Sequence, residues 1–137
     1  MRTSFRVPFV KGKGRVRFVR ATGRTYTPDA TAEAMYAIRA AYEAAGGAKA
    51  PKGAEVAVHI TTVRPLPKGR PKRVESEPDV CKPDVDNIAK LVLDALNGTA
   101  WDDDTQVTEL VVGKAERVRD VAESTYVWIG WEDGNEG

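Results

Sequence analysis

Apolar positions along the chain alternate between a two-residue and a three-to-four-residue period, and each change of period marks an element. Residues 3–10, TSFRVPFV, alternate and carry Phe and Val, which predicts a strand. KGKGRVRFVR (11–20) is a Gly-rich basic loop entering a short second strand, and ATGRT is a turn. TPDATAEAMYAIRAAYEAAGG predicts a helix, with Thr27 as N-cap and Pro28 at the first helical position. Met35, Ile38, Tyr42 and Ala45 form its apolar stripe, and Gly46-Gly47 ends it. AEVAVHITTV (54–63) is the clearest strand, with His59 on the face opposite Val56, Val58 and Ile60.

Residues 64–83 hold five prolines and six basic residues without periodicity, which predicts a long loop. A second helix starts near Asp84 and sets Val85, Ile88, Ala89, Val92, Ala95 and Leu96 on one face. Asn97-Gly98 stops it. TQVTELVVGKAERV (105–118) and STYVWIGW (124–131) read as two more strands, and 132–137 as a frayed tail. The order is ββαβαββ, an α+β fold in which a small mixed sheet packs against two main helices. Nothing divides the 137 residues, so one domain over 1–137 is expected.

Composition narrows the chemistry. Apolar residues at 42% and charged residues at 30% are ordinary for a globular chain. No apolar run approaches the roughly 20 residues that span a bilayer, and the first residues carry no signal-peptide core, so no membrane and a cytoplasmic location are expected. Cys81 is the only cysteine and His59 the only histidine. An internal disulfide, a multi-cysteine zinc site and two-histidine nuclease chemistries are thereby excluded. His59 reads as a solvated strand residue. Charge is split along the chain: residues 1–73 hold 16 Lys and Arg against 4 Asp and Glu, and residues 74–137 hold 5 against 16. Such asymmetry points to nucleic-acid contact or to two halves that neutralise each other on folding.

The acids concentrate in KPDVDNIAKLVLDALNG (82–98) and in Asp102, Asp103 and Asp104. Asp84 can cap the second helix, and Asp86 lies in its first turn, where the helix dipole favours anions. The helix is about 20 Å long. The segment 98–104 can extend about 23 Å, just enough to run back and bring Asp103 or Asp104 near Asp84 and Asp86. Three gathered carboxylates disfavour their own charged forms unless a cation joins them. Mg²⁺ fits better than Ca²⁺, because an EF-hand count from Asp84 puts Ala89 at the glycine position and Ala95 where a bidentate Glu belongs. Lys90, four residues after Asp86, can form an ion pair with it or stabilise charge on a phosphoryl group; spacing alone favours the pair. Basic residues of the two loops, Lys11, Lys13, Arg15, Arg17, Arg20 and Arg24, then Arg64, Lys68, Arg70, Lys72 and Arg73, are either solvated surface or a cradle for DNA phosphates. Trp101 reads as a core anchor, and Trp128 and Trp131 as sheet packing or a dimer face.

P-D-x-D-N-x-x-K (83–90) followed by D-D-x-Q (103–106), with GRTYTP at 23–28, resembles the RusA family of Holliday junction resolvases of bacteria and their phages. The likeness covers roughly residues 5–115. It implies that Asp84, Asp86 and Asp104 are metal-binding catalytic acids, with Asp103 a neighbour that can assist and Asp102 also within reach. It makes Lys90 the essential lysine. It implies a Mg²⁺-dependent homodimer that nicks two symmetric strands of a four-way junction. Two alternatives stand beside it: a DNA-binding or architectural protein without catalysis, and a nuclease of the same chemistry acting on flaps or forks.

Overall fold

Alternation along β1 (Arg2–Val7) turns Thr3, Phe5 and Val7 inward and leaves Arg2, Ser4 and Arg6 in solvent. The computed structural model describes residues 1–14, 17–19, 23–26 and 29–133, without the side chains of 17–19 and 24–26. After β1 come β2 (Arg17–Val19), β3 (Arg24–Tyr26), α1 (Asp29–Ala44), β4 (Val56–Val63), β5 (Ser76–Glu77) and α2 (Val85–Leu96). A 3-10 turn at Asp104–Gln106 then leads into β6 (Val107–Lys114), β7 (Arg117–Val118) and β8 (Ser124–Gly130).

The main sheet has the order β1-β8-β4-β6. β4 and β6 run parallel, with Val58 opposite Leu110 and Ile60 opposite Val112. β8 is antiparallel to both β4 and β1. The two helices pack on each other, α1 against β1 and α2 against β6, so both cover the same face. Between helices and sheet, Ile38, Tyr42, Val58, Ile60, Ile88 and Ile129 are buried. This is the α+β arrangement of a mixed sheet and two main helices that the patterning predicts.

Several expectations need correction. Arg24 and Thr25, expected in the ATGRT turn, belong to β3 instead, which pairs antiparallel with β2, Phe18 opposite Thr25. The segment 64–83 is a loop, but not a structureless one. Its β5 pairs with β7, Leu66 N–H donates to Val118 O at 2.9 Å, and the Arg119 guanidinium donates to Arg70 O, Pro71 O and Val74 O at 3.3, 2.8 and 3.0 Å. Partners that distant leave no local period to read. Ala45 lies beyond the end of α1 and is exposed. On α2, Val85 is exposed and Leu91 is buried in its place, because the stripe begins a turn later. Thr27 and Pro28 lie outside the described residues.

The aromatic and histidine expectations fare better. His59 stands on the outer sheet face, its Nε2 2.7 Å from Glu109 Oε2 and its ring 4.9 Å from that of Trp128, while Val56, Val58 and Ile60 point into the core. Trp101 is fully buried, and its indole N–H donates to Asn97 Oδ1 at 2.7 Å. Among the described residues no helix is long and apolar enough to cross a membrane.

Candidate active site

Asp84 occupies the N-cap of α2 with extended backbone (φ −78°, ψ 164°), and its carbonyl accepts the Ile88 N–H at 3.1 Å. Its side chain makes no capping hydrogen bond. The backbone starts the helix without the carboxylate, so capping does not account for an aspartate here. Asp86 follows in the first turn, where exposed N–H groups and the dipole favour negative charge. Both are exposed, and among the described residues neither has an ion-pair or hydrogen-bond partner. Lys90 is exposed as well. With Asp86 it lines a groove completed by Val85, Ala89, Leu93, Leu110 and Val112, and the two charges close no ion pair. The spacing-based preference for that pair is therefore not realised.

Basic groups ring this end of α2. Lys13 N–H donates to Asn87 O at 3.1 Å, which seats the 11–14 segment on the first turn, and a concavity there is lined by Gly12, Lys13, Lys82, Pro83, Asp84 and Asn87. From the far end of β6, the Lys114 ammonium donates to Cys81 O. The basic candidates divide by what they already hold. Lys13 is paired with Asp94 on α2, and Arg70 makes a two-point contact with Glu77 at 2.6 and 3.1 Å. That contact holds the Glu77 carboxyl below the usual carboxylate range. Lys11 lies over the Phe9 ring at 5.1 Å. Lys68, Lys72 and Arg73 are exposed, and Arg64 is largely buried against Asp79. Arg15 and Arg20, and the side chains of Arg17 and Arg24, lie outside the described residues.

The three later aspartates stand at the opposite end of α2. Gly98 N–H donates to Trp101 O at 2.8 Å, closing a tight turn that buried Trp101 anchors under the helix C-terminus. Asp102 then pairs with Lys49 at 2.7 Å, which pulls its carboxyl below the ordinary range. Asp103 accepts the Thr105 hydroxyl at 2.8 Å. Gln106 staples the turn: its amide donates to Pro51 O and Ala54 O at 3.0 and 3.1 Å, and its carbonyl accepts Asp102 N–H at 3.0 Å. Asp104 opens the 3-10 turn, half-exposed, with no partner among the described residues.

The expected fold-back of 98–104 therefore does not occur. The return along α2 is made by β6 instead, which starts at the helix C-terminus and brings Leu110 and Val112 beside Asp86 and Lys90, and Lys114 beside Cys81. Asp104 follows a turn held at the C-terminus of α2, and Asp84 and Asp86 stand at the N-terminal end of that helix, which is about 18 Å long. Among the described residues, no group of three or more His, Cys, Asp or Glu side chains is set to hold a metal ion.

Comparison with known proteins bears on the same two segments. The family model for endodeoxyribonuclease RusA matches residues 8–127, which takes in the start of α2, the aspartate turn and the main sheet apart from β1 and the end of β8. This chain belongs to the RusA family. A RusA-type assignment thus rests on most of the chain rather than on one motif. The chain is also 39% identical over 67 residues to the uncharacterized protein YqaN of Bacillus subtilis (strain 168), a match that takes in 43% of this chain and 47% of that protein.

A divalent ion suits part of the residue set at the start of α2. Mg²⁺ commonly takes one or two carboxylates and completes its shell with water and substrate phosphate. Asp84 and Asp86 supply two carboxylates at the start of one helix, without partners among the described residues, so they fit. Asp104 of the same chain does not join them. Patterning gives no role to Asp79, Lys114 or Arg119; it names Arg64 only as a basic-loop residue and Gln106 only as part of the D-D-x-Q motif. Lys114 and Arg119 act through partners distant in sequence.

Proposed function

We propose that this protein is a Mg²⁺-dependent endodeoxyribonuclease of the cytoplasm that resolves four-way DNA junctions as a homodimer, by paired cleavage of symmetric strands. The observation that carries the reading is the pair Asp84 and Asp86, without a partner among the described residues, at the mouth of α2 inside a RusA match. Asp84 and Asp86 would hold the ion. When bound, the metal supplies an activated water and neutralises charge on the scissile phosphate. Lys90, one turn on, directs its ammonium at the phosphoryl oxygens and offsets charge that grows toward the transition state. Lys11, Lys68, Lys72 and Arg73, with Arg15, Arg17 and Arg24, track the DNA backbone.

The homodimer would also answer the position of Asp104. β6 is the edge of the main sheet, and it exposes Leu110 beside exposed Val85 and Val111 on the opposite face. Two copies joined antiparallel along β6 would carry the Asp104 end of one toward the Asp84 end of the other, so each site would draw its third acid from the partner. Two-fold symmetry would then match a junction cut twice.

Asp86→Asn is expected to abolish cleavage of a synthetic four-way junction in Mg²⁺ while junction binding, measured without metal, stays unchanged; retained cleavage would remove the mechanism. The separation of Asp104 within one chain favours a second reading, a DNA-binding protein without catalysis. That reading expects no nick on junction, flap, fork or duplex with or without Mg²⁺. The same substrate panel distinguishes a junction resolvase from a flap or fork nuclease.

A further inference from the structure

Asp79 is the one buried acid among the described residues, its side chain 1% exposed. It lies five residues before Asp84 in a loop whose other acids, Glu75 and Glu77, are exposed or partly so. One carboxylate oxygen accepts the Cys81 N–H at 3.3 Å. The other faces Arg64 Nε at 4.0 Å, and that nitrogen is buried without a hydrogen bond. A buried carboxylate with an incompletely matched cation does little for stability compared with an apolar pair of the same size, so its position asks for another explanation.

The partners supply one. Asp79 grips the N–H of Cys81, and Lys114 grips the C=O of the same residue from the end of β6. Arg117 anchors the start of the loop by donating to Pro65 O at 2.9 Å. On the other side, Pro83 packs so closely on Gly12 that a Cβ at position 12 would lie 2.9 Å from Pro83 Cβ. Both backbone polar groups of Cys81 are thus fixed by side chains, one from its own loop and one from β6. Only Lys82 and Pro83 lie between Cys81 and Asp84.

We infer that Asp79, braced by Arg64, is a positioning residue that sets the Cys81–Pro83 segment and through it the geometry of the metal-binding acids. The inference rests on the proposed nuclease reading. Residues that orient metal ligands typically contribute 10–100-fold to metal affinity or activity. Asp79→Ala loses both contacts. Asp79→Asn keeps an acceptor for the Cys81 N–H and loses only the charge facing Arg64.

The test uses the full chain and three readouts. Mn²⁺ binding to the DNA-free protein, followed by electron paramagnetic resonance, is expected to weaken about 10–100-fold in Asp79→Ala and less in Asp79→Asn. Hydrogen exchange at the Cys81 amide is expected to accelerate in Asp79→Ala. Metal-free junction binding is expected to stay within about twofold, since no phosphate contact is removed. Wild-type Mn²⁺ affinity in Asp79→Ala, or unchanged exchange at Cys81, overturns the role. Should Asp79→Ala fail to fold, Lys114→Met releases the carbonyl of the same residue and must shift Mn²⁺ affinity in the same direction, with Lys114→Arg restoring it; no shift overturns the proposal. Failure of the nuclease reading looks different: the wild-type protein itself then takes up no Mn²⁺, and the positioning role falls with it.

Discussion

Asp84 and Asp102 carry the same side chain and do opposite things, and their neighbours decide which. Lys49 occupies Asp102, and Thr105 occupies Asp103, so among the described residues Asp104 alone of that run keeps a carboxylate without a partner. The ambiguity of three consecutive aspartates is thus resolved by the partners each one meets. The same logic sorts the basic loop. Arg70 is tied to Glu77, and because that pairing depresses the Glu77 carboxyl, the contact persists above the ordinary carboxylate range and opens only as pH falls through the lowered value. Lys72 and Arg73 are exposed instead. Each phosphate contact contributes a slope of about −0.9 to the dependence of log K on log salt. Lys72→Ala and Arg73→Ala are each expected to reduce the slope for junction binding by about one, measured by fluorescence anisotropy from low to high salt. Arg70→Ala is expected to leave the slope nearly intact and to loosen the loop, seen as faster proteolysis within 64–83.

At the scale of elements, α2 is the piece that was legible. Its start at Asp84, its stop at Asn97-Gly98 and most of its buried face follow from period and capping residues, and Trp101 was readable as a core anchor. The route from helix to strand was not. Extended-chain reach permits 98–104 to travel the length of α2, and nothing local forbids it; the turn is imposed by Trp101, whose indole needs both a buried site and Asn97 as acceptor. The two-residue strands β5 and β7 escaped for a similar reason, since each has only the other to define it. The seat of 11–14 on α2 gives a direct check. A methyl at Gly12 would lie 2.9 Å from both Asn87 Cβ and Pro83 Cβ, so the segment must lift. Gly12→Ala is expected to cost about 1–3 kcal/mol in urea denaturation and to lower cleavage more than junction binding.

Over the whole molecule, both helices lie on one face of a sheet whose last strand, β6, keeps a free edge. Exposed apolar edges invite pairing with another chain, and charge on the edge blocks it. Val111→Lys, on the face away from α2, is expected to convert a dimer to monomers in sedimentation and to abolish cleavage while leaving the far-UV circular dichroism unchanged. A stable monomer that still cleaves would separate activity from assembly. The hold of Arg119 on three carbonyls of the 64–83 segment has its own consequence. A tether of that kind meets its ordering cost during folding, so under the proposed function the arm would meet DNA already in shape. Encounter then becomes a matter of approach and ion release rather than of a strap that must first settle, and heat-capacity changes on association should reflect DNA distortion more than protein rearrangement.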